Sequence, residues 1–320
     1  MKKLAVFPAS GKLGSATYQT LSKLLPPQQL VLISRHPEKV PEDLIKAGIE
    51  TRKADYDAPE TLKNVFDGIS YLLLVSYPSI QIEHRFRAHQ NAMTAALEST
   101  PGIEHAFYTS LGFGGDGRPS SAAYVMQAHL RTEAWLREVA NREGDGFTFT
   151  VIREGIYSET WPMYTSFFDP RAGNNSTAYL PHDGTGPGIA WACIRDLGEA
   201  TARLIKEYID NPSDPRYVNK IIILTGPRDW SLKETVEVLG RLGGGGASIE
   251  QVSSDEHAHN PKVVEKIGSH GPGNSVARDW TTVFEAVRNG ETSVVNGELE
   301  RLLGRAPESF EETAKRMLAN

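Results

Sequence analysis

The sequence predicts an α/β protein, in which a doubly wound parallel sheet is accompanied by a smaller C-terminal α/β domain. Two observations predict this fold class. Short apolar runs alternate with longer stretches whose apolar residues recur at helical spacing, as buried strands and crossover helices require. The first apolar run, Leu4 to Phe7, leads directly into a glycine-containing turn and then a helical pattern. Repeated units of this kind build a parallel sheet with helices on its faces.

The individual elements follow from these runs in chain order. Strands are predicted over Leu4 to Phe7, Leu30 to Ile33, Ile49 to Arg52, Tyr71 to Val75, Ala106 to Tyr108 and Thr148 to Ile152. Helices are predicted over Ala16 to Leu25, Thr61 to Phe66, Gln81 to Leu97 and Ala122 to Val139. After an irregular stretch, a helix over Asp196 to Ile209 and a strand over Lys220 to Leu224 are expected to rejoin the sheet.

The rhythm changes after the sixth predicted strand. Residues 155–190 are rich in proline and glycine and predict loops with small elements. From Ser231 onward, helical segments alternate with glycine-rich and polar stretches, which predicts a partly helical lid. We therefore expect a first domain over 1–154 that residues 191–228 rejoin. The smaller substrate or lid domain comprises 155–190 and 229–320.

Composition excludes several classes of partner. The chain has 320 residues and a net charge of -6, without any block of Lys or Arg, so nucleic acid is not an expected ligand. Cys193 is the single cysteine, which excludes an intrachain disulfide and agrees with a reducing compartment. The apolar run at the start is too short for a signal core or a membrane span. We expect a cytoplasmic protein with no membrane partner.

The turn after the first strand is a candidate phosphate site. It reads Ser10-Gly11-Lys12-Leu13-Gly14 and precedes a predicted helix. Glycines lack a Cβ, so backbone amides approach a pyrophosphate closely, and the helix N-terminus supplies unsatisfied N–H donors. Pro8 stands where the usual dinucleotide fingerprint has its first glycine, which removes one amide. The alternative is a tight strand-to-helix turn without a ligand.

The end of the second strand indicates which dinucleotide is bound. In a doubly wound sheet this position faces the adenosine ribose, where an acidic residue would accept from a 2′-hydroxyl. Ser34 and Arg35 stand there, and a guanidinium suits the 2′-phosphate of NADP. Lys12 could add a second positive charge. The alternative is that Arg35 is a solvated residue at the end of a strand.

Polar residues also follow the later strands. Ligands of open α/β sheets bind beyond the carboxyl ends of the strands, so these residues are candidate cofactor contacts. They are Asp55, Tyr56 and Asp57 after the third strand, Ser76 and Tyr77 after the fourth, Thr109 and Ser110 after the fifth, and Gly155, Ile156 and Tyr157 after the sixth. Taken singly, each is more typical of a helix cap or turn. Their recurrence at successive strand ends predicts a lined cleft.

These residues, with several others, give the chain a family resemblance. It resembles the NmrA-like branch of the atypical short-chain dehydrogenases, a Rossmann-fold group that includes quinone reductases, phenylpropanoid reductases and redox-sensing regulators. The matching segments run nearly end to end: residues 9–14, Ser34-Arg35, 54–57, 108–110, 129–133, 151–159, 195–198, 224–227 and 302–307. The resemblance implies a dinucleotide-binding domain, a small C-terminal substrate domain and a preference for NADP(H).

The expected proton donor departs from the usual pattern. Short-chain dehydrogenases use a Tyr with a Lys four residues later, but Tyr124 is followed at that spacing by Ala128. His129 stands where many related reductases have a lysine. It could bond a ribose hydroxyl or donate a proton near neutral pH, or it could be a helix-surface residue paired with Glu133. Tyr124 and Tyr157 are alternative donors, or aromatic packing residues.

A flat aromatic substrate is expected beside the cofactor. Tyr157, Trp161, Met163, Tyr164, Phe167 and Phe168 cluster within an irregular segment and could cover a quinone, an enone or an aromatic carbonyl, or form ordinary core. We predict an NADPH-dependent oxidoreductase for such substrates. The alternative is a non-catalytic NADP-binding redox sensor that acts through a protein partner, and a dehydratase or isomerase also remains open. No metal site is predicted, and a homodimer is permitted.

Overall fold

A seven-stranded sheet forms the framework of the chain. The structure, a computed structural model, describes residues 1–173, 176–267 and 275–319. Strands in the sheet are β1 (Leu4–Phe7), β2 (Leu30–Ser34), β3 (Glu50–Lys53), β4 (Tyr71–Leu74), β5 (His105–Leu111), β6 (Thr148–Glu154) and β8 (Lys220–Leu224). Their order is β3-β2-β1-β4-β5-β6-β8. The strand order reverses at β1, and this is the doubly wound arrangement that the sequence predicts.

The strands pair in parallel with a register that aligns their carboxyl ends. Val6 lies opposite Leu32 of β2 and Leu73 of β4. Leu74 in turn pairs with both Phe7 and Tyr108. Residues of β1, β2 and β4 are fully buried along their whole length, as expected of strands covered by helices on both faces.

Helices cover the sheet and build most of the C-terminal part. They are α1 (Lys12–Leu24), α2 (Glu42–Lys46), α3 (Ile82–Leu97), α4 (Gln127–Glu143), α5 (Trp161–Tyr164), α6 (Ile194–Asp210), α7 (Leu232–Leu242), α8 (Ser254–Ala258), α9 (Pro261–Lys266), α10 (Ser275–Arg288), α11 (Glu298–Leu303) and α12 (Phe310–Ala319). Gly198 on α6 allows close packing on α1, because a Cβ there would lie 2.4 Å from the Ala16 Cβ. Within the described residues, no helix is long and apolar enough to cross a bilayer.

Two predicted helices differ from the observed ones. The prediction over Thr61 to Phe66 is wrong, since only a 3₁₀ turn over Pro59–Leu62 forms and Asn64 has a left-handed φ of 60°. The helix predicted from Ala122 begins later, at Gln127, after a 3₁₀ turn over Tyr124–Met126. Its early backbone is bonded elsewhere: the Ala122 amide donates to the Glu291 carboxylate at 2.8 Å.

The chain divides into two compact units. The first, called the sheet unit, comprises Met1–Ser110, Ala128–Arg153 and Ile194–Ile222. The second unit comprises Leu111–Gln127, Glu154–Cys193 and Ile223–Asn320. The sheet unit carries the apolar core, in which residues of β1, β2, β4 and β5 pack against α3 and α4.

The second unit contains regular structure that the sequence does not predict. A two-stranded parallel sheet forms from β7 (Ser176–Leu180) and β9 (Ala247–Gln251). Helix α7 starts with a capping box, in which Ser231 and Glu234 satisfy each other's backbone amides. In the aromatic core of the second unit, Trp191 stacks on Phe310 with ring centroids 5.1 Å apart.

Candidate active site

The glycine turn after β1 has the backbone geometry of a candidate anion cradle. Gly11 has a φ of 95°, which favours glycine, and a Cβ there would meet nothing within 4 Å. In the described part of the chain no side chain caps α1, and its first turn holds no acidic residue, so no side chain there satisfies its first N–H groups. Gly14 has a different role, because a Cβ there would lie 2.7 Å from the Pro8 carbonyl oxygen. Ser10, Gly11 and Lys12 are exposed, whereas Leu13 packs inward.

The end of β2 places a cation beside this cradle. Ser34 is buried, and the Arg35 side chain is 60% exposed. Its Nε lies 3.9 Å from Oδ2 of Asp55, which follows β3. At this distance the guanidinium retains donors that can receive a phosphate.

Of the aromatic residues after β3 and β4, Tyr56 packs in the core and Tyr77 lies nearer the surface. Tyr56 is buried, its ring packs on Phe7 at 4.5 Å, and its hydroxyl donates to the Val75 carbonyl at 2.8 Å. Its hydroxyl is therefore not available to a ligand, and the structure gives it a packing role instead. Tyr77 donates to Asp57 at 2.7 Å, and burial raises the pKa of this phenol to about 12.

A buried histidine lies behind the end of β4. The His89 Nε2 accepts the backbone N–H of Tyr77 at 3.0 Å, and it also lies 3.1 Å from the Ser76 hydroxyl. The Nδ1 of His89 lies 2.9 Å from the Thr132 hydroxyl. Burial, helped by the charge of Arg85, holds the His89 pKa well below 6.5. Ser76 is thereby fixed in a network and is not a simple turn residue.

His129 lies inside the sheet unit and not on a helix surface. It is 2% exposed, and its Nδ1 lies 2.9 Å from the Tyr108 hydroxyl. Its Nε2 is buried without a hydrogen-bond partner in the described structure. Burial, together with Arg85, His89 and Arg153, holds the His129 pKa well below 6.5. This shift favours a neutral imidazole near pH 7, and the catalytic role of His129 stays a prediction.

The predicted alternative of a His129–Glu133 pair is also wrong. Glu133 accepts the Ser110 hydroxyl at 2.6 Å and two donors of Arg153, at 3.0 Å and 2.7 Å. This buried ion pair joins α4 to β6. The Ser110 hydroxyl proton is used inside the protein, so only the lone pairs of Ser110 remain for a cofactor.

The other predicted site residues belong to the second unit. Tyr124 is half-buried in the 3₁₀ turn, and its backbone N–H donates to Thr282 at 2.8 Å. Tyr157 is half-buried and pairs as an isolated bridge with Ala192. Gly155 is required by packing, since a Cβ there would lie 2.6 Å from the Leu224 carbonyl oxygen. Ile156 is buried.

The predicted aromatic wall is largely core of the second unit. Tyr164 contacts the rings of Trp191 and Trp280, each at 5.4 Å. Trp161 packs on Phe168 at 6.1 Å. Only Tyr157, Met163 and Phe167 of this cluster stay half-exposed.

The site residues of the sheet unit lie along one edge. Phe7, Leu74 and Tyr108 stand in register near the carboxyl ends of β1, β4 and β5. From β2 to β5 there are three strand spacings, or about 14 Å. The Arg35 cation follows β2 at one end of this edge, and His129, whose buried Nε2 has no partner among the described residues, contacts β5 at the other. The glycine turn after β1 lies between them.

Sequence reasoning missed Arg85, His89 and Thr132. Arg85 and His89 are four residues apart on α3, a spacing that puts both on one helix face. Thr132 stands on α4 and bonds His89 across the two helices. An arginine and a histidine four residues apart in the helix after β4 are the signal that could have identified Arg85 and His89.

Known proteins share this architecture. The chain is 28% identical over 312 residues to an NmrA-like family domain-containing oxidoreductase of Aspergillus flavus, covering 97% of this chain and 93% of that relative. It is 29% identical over 261 residues to quinone oxidoreductase 2 of Escherichia coli, covering 82% of each. The crystal structure of an NADPH-dependent quinone oxidoreductase of Escherichia coli, complexed with NADPH, matches with a TM-score of 0.77 at 25% identity. That match covers 98% of this chain and 99% of the other. No protein-family model matches the chain.

The chain is a homologue of the NmrA-like oxidoreductases. This confirms the family resemblance and the Rossmann-like fold predicted from sequence. The anion cradle, the exposed cation after β2 and the unpartnered His129 nitrogen fit a dinucleotide in this NmrA-like homologue. Among the described residues, no group of three or more His, Cys, Asp or Glu could hold a metal ion.

Proposed function

We propose that this protein is an NADPH-dependent reductase of quinone-like substrates. The oxidoreductase class and the NADP(H) cofactor predicted from sequence are confirmed by the homologues. The quinone substrate is our proposal, and it is supported by the relatives named as quinone oxidoreductases. None of the relatives supports the redox-sensor alternative.

The observation that carries the proposal is the position of His129. Arg35 marks the end of the sheet edge that suits a 2′-phosphate, which belongs to the adenosine half of NADP. The redox half of an extended dinucleotide then lies toward β4 and β5. At that end the sheet unit holds a buried imidazole nitrogen with no hydrogen-bond partner among the described residues.

The proposed cofactor contacts divide by chemistry. Ser10, Gly11 and Lys12, with the first N–H groups of α1, would hold the pyrophosphate. Ser34 and Arg35 would hold the 2′-phosphate, as a guanidinium does through charge-assisted hydrogen bonds. Asp55, Ser76, Tyr77 and Ser110, with backbone of Leu13 and Gly14, line the same edge.

The reaction needs little more than hydrogen-bond support from the protein. When bound, NADPH supplies a hydride, two electrons with one hydrogen nucleus, and becomes NADP⁺ as a quinone becomes a hydroquinone monoanion. Neutral His129 is placed to stabilise the negative oxygen by hydrogen bonding. The proton that completes the hydroquinone comes from solvent, because neutral His129 keeps its own. The predicted roles of Tyr124 and Tyr157, which belong to the second unit, stay predictions.

The experiment is a substrate panel under anaerobic conditions. Purified protein with NADPH is offered quinones, conjugated enones and aromatic ketones, and loss of NADPH and of acceptor is followed together. We expect equimolar loss of NADPH and quinone, with slower loss for the other classes. Tight NADPH binding with no consumption by any acceptor would overturn the proposal.

A further inference from the structure

A chain of buried hydrogen bonds connects the backbone after β4 to the Nδ1 of His129. It passes through His89 on α3 and Tyr108 on β5, and all of its members belong to the sheet unit. Neither His89 nor Tyr108 is exposed. The direction of each bond follows from the donor inventory of the groups involved.

The first bond fixes the proton of His89. A backbone N–H can only donate, so the His89 Nε2, 3.0 Å from the Tyr77 nitrogen, must present its lone pair. The single proton of the neutral ring is therefore on Nδ1. That Nδ1–H points to the Thr132 hydroxyl at 2.9 Å and, more weakly, to the Tyr108 oxygen at 3.4 Å. The Thr132 hydroxyl in turn donates a hydrogen bond to the Ala128 carbonyl at 2.9 Å.

The second bond follows from the first. Because His89 Nδ1 carries a proton, it cannot accept the proton of Tyr108. The Tyr108 hydroxyl also faces the hydroxyls of Ser76 and Thr132. We assign its proton to its shortest hydrogen bond, the one to the His129 Nδ1 at 2.9 Å. His129 then holds its ring proton on Nε2, the atom that has no protein partner in the described structure.

We infer that His89 and Tyr108 are positioning residues that lock neutral His129 into the tautomer with its N–H directed at the substrate oxygen. The inference rests on the proposed function for the identity of that oxygen. An imidazole that exchanges tautomers directs a nitrogen lone pair at the substrate for part of the time, and this lone pair repels a developing oxyanion. A ring fixed with its proton on Nε2 always offers an N–H donor instead. The titratable groups that face His129 are Tyr108, His89, Arg85 and Arg153. Burial raises the pKa of the Tyr108 phenol, so its proton stays in place.

The direct test is nitrogen NMR of the ligand-free protein with ¹⁵N-labelled histidine. The His129 signals are assigned by their loss in His129→Gln. We expect a neutral ring protonated on Nε2 from about pH 5.5 to pH 8, a range that brackets the ordinary histidine pKa. A ring protonated on Nδ1, or an imidazolium near neutral pH, would overturn the inference.

A matched pair of variants tests the role of Tyr108. Tyr108→Phe removes the donor to Nδ1, so we expect mixed tautomers and a roughly tenfold loss of kcat, the effect of one lost hydrogen bond. KM and NADPH affinity should change little. Tyr71→Phe is the control, because Tyr71 is equally buried on β4 but lies at the other end of the sheet, opposite Leu4.

The outcomes separate this inference from the proposed function. If Tyr108→Phe leaves both the His129 tautomer and kcat at wild-type values, the positioning role is wrong. If the wild-type protein consumes no NADPH with any quinone, the proposed function fails, while the ligand-free NMR spectrum still decides the tautomer. His89→Gln gives a second reading, since it removes the Nδ1 proton that orients Tyr108 and should also mix the tautomers.

Discussion

We propose that the charge of Arg35 distinguishes NADPH from NADH. Its side chain is 60% exposed, and its Nε lies 3.9 Å from the Asp55 Oδ2. We expect Arg35→Ala to weaken NADPH binding by about 10- to 100-fold, the effect of losing a hydrogen bond between charged groups. NADH binding should stay nearly unchanged. Fluorescence titration with both nucleotides measures this, with Arg137→Ala on α4 as an exposed arginine control. Equal losses for both nucleotides would show that Arg35 does not face a 2′-phosphate.

A substitution at His129 should affect turnover much more than NADPH affinity. We expect His129→Ala to lower kcat by about 100-fold, as removal of an oxyanion donor does, with NADPH affinity within a few fold of wild type. Steady-state kinetics and nucleotide titration on the same preparation give both values. A collapse of NADPH affinity at unchanged kcat would instead make His129 a ribose contact.

Residue-level chemistry was predictable from sequence where it depended on local order. The positions of Ser34, Arg35 and the glycine turn follow from the strand-to-helix pattern. The neutral state of His129 was not predictable, because it results from burial among groups on α3, β5 and β6 that are distant in sequence. The same reason hid His89, whose partners stand on two other elements.

Among the elements, the β1–α1 turn depends on Gly14. A Cβ there would lie 2.7 Å from the Pro8 carbonyl oxygen, which is backbone and cannot move aside cheaply. We expect Gly14→Ala to cost about 1–3 kcal/mol in the free energy of unfolding, as overpacking does, and to weaken NADPH binding as well. Urea denaturation measures the first effect. Gly146→Ala is the matched control, since a Cβ there meets nothing within 4 Å. Similar stability of the two variants would contradict the packing role.

The segment after α5 holds backbone strain inside the second unit. Ser166 and Phe167 have φ values of 53° and 55°, which non-glycine residues rarely adopt. The Ser166 hydroxyl lies 2.7 Å from the His257 Nε2 on α8. Ser166→Ala loses this bond and keeps the strain, whereas Ser166→Gly loses the bond but relieves the strain.

We therefore expect Ser166→Gly to unfold at a higher urea concentration than Ser166→Ala. The difference in their free energies of unfolding should be about 1 kcal/mol. Tryptophan fluorescence follows the transition. The reverse order of the two variants would mean that the left-handed backbone carries no strain at this position.

The strands were the most predictable elements, because the buried runs in β1, β2 and β4 are apolar without interruption. The pair β7 and β9 escaped prediction for the opposite reason. β9 reads Ala-Ser-Ile-Glu-Gln and is mostly exposed, so it carries no apolar run, and its partner lies far away in sequence. The predicted domains stay a prediction. The compact units differ from them mainly because residues 111–127 belong to the second unit and not to the first.

At the scale of the whole molecule, buried histidines make stability depend on pH. Burial lowers the pKa of His105 to about 3 and of His257 to about 4, and it holds those of His89 and His129 well below 6.5. The unfolded chain takes up these protons below about pH 6.5, and the folded protein does not. The free energy of unfolding therefore has its full value above that pH and falls as the pH drops toward 4.

We expect the urea midpoint to fall markedly between about pH 7.5 and pH 5, a window that lies above the ordinary carboxylate pKa values. His105→Phe should reduce this dependence by close to one proton, because its ring no longer binds one in the unfolded chain. An unchanged midpoint across the window would contradict the neutral, buried state of these rings.

We propose that NADPH lies along the sheet edge with its 2′-phosphate at Arg35 and its redox end at His129. A crystal structure of the protein with bound NADPH tests it most directly. We predict a 2′-phosphate oxygen within hydrogen-bond distance of the Arg35 guanidinium and the nicotinamide half beside β4 and β5, next to the Nε2 of His129. A nucleotide bound with its 2′-phosphate away from Arg35, or with its nicotinamide half far from His129, would contradict the account.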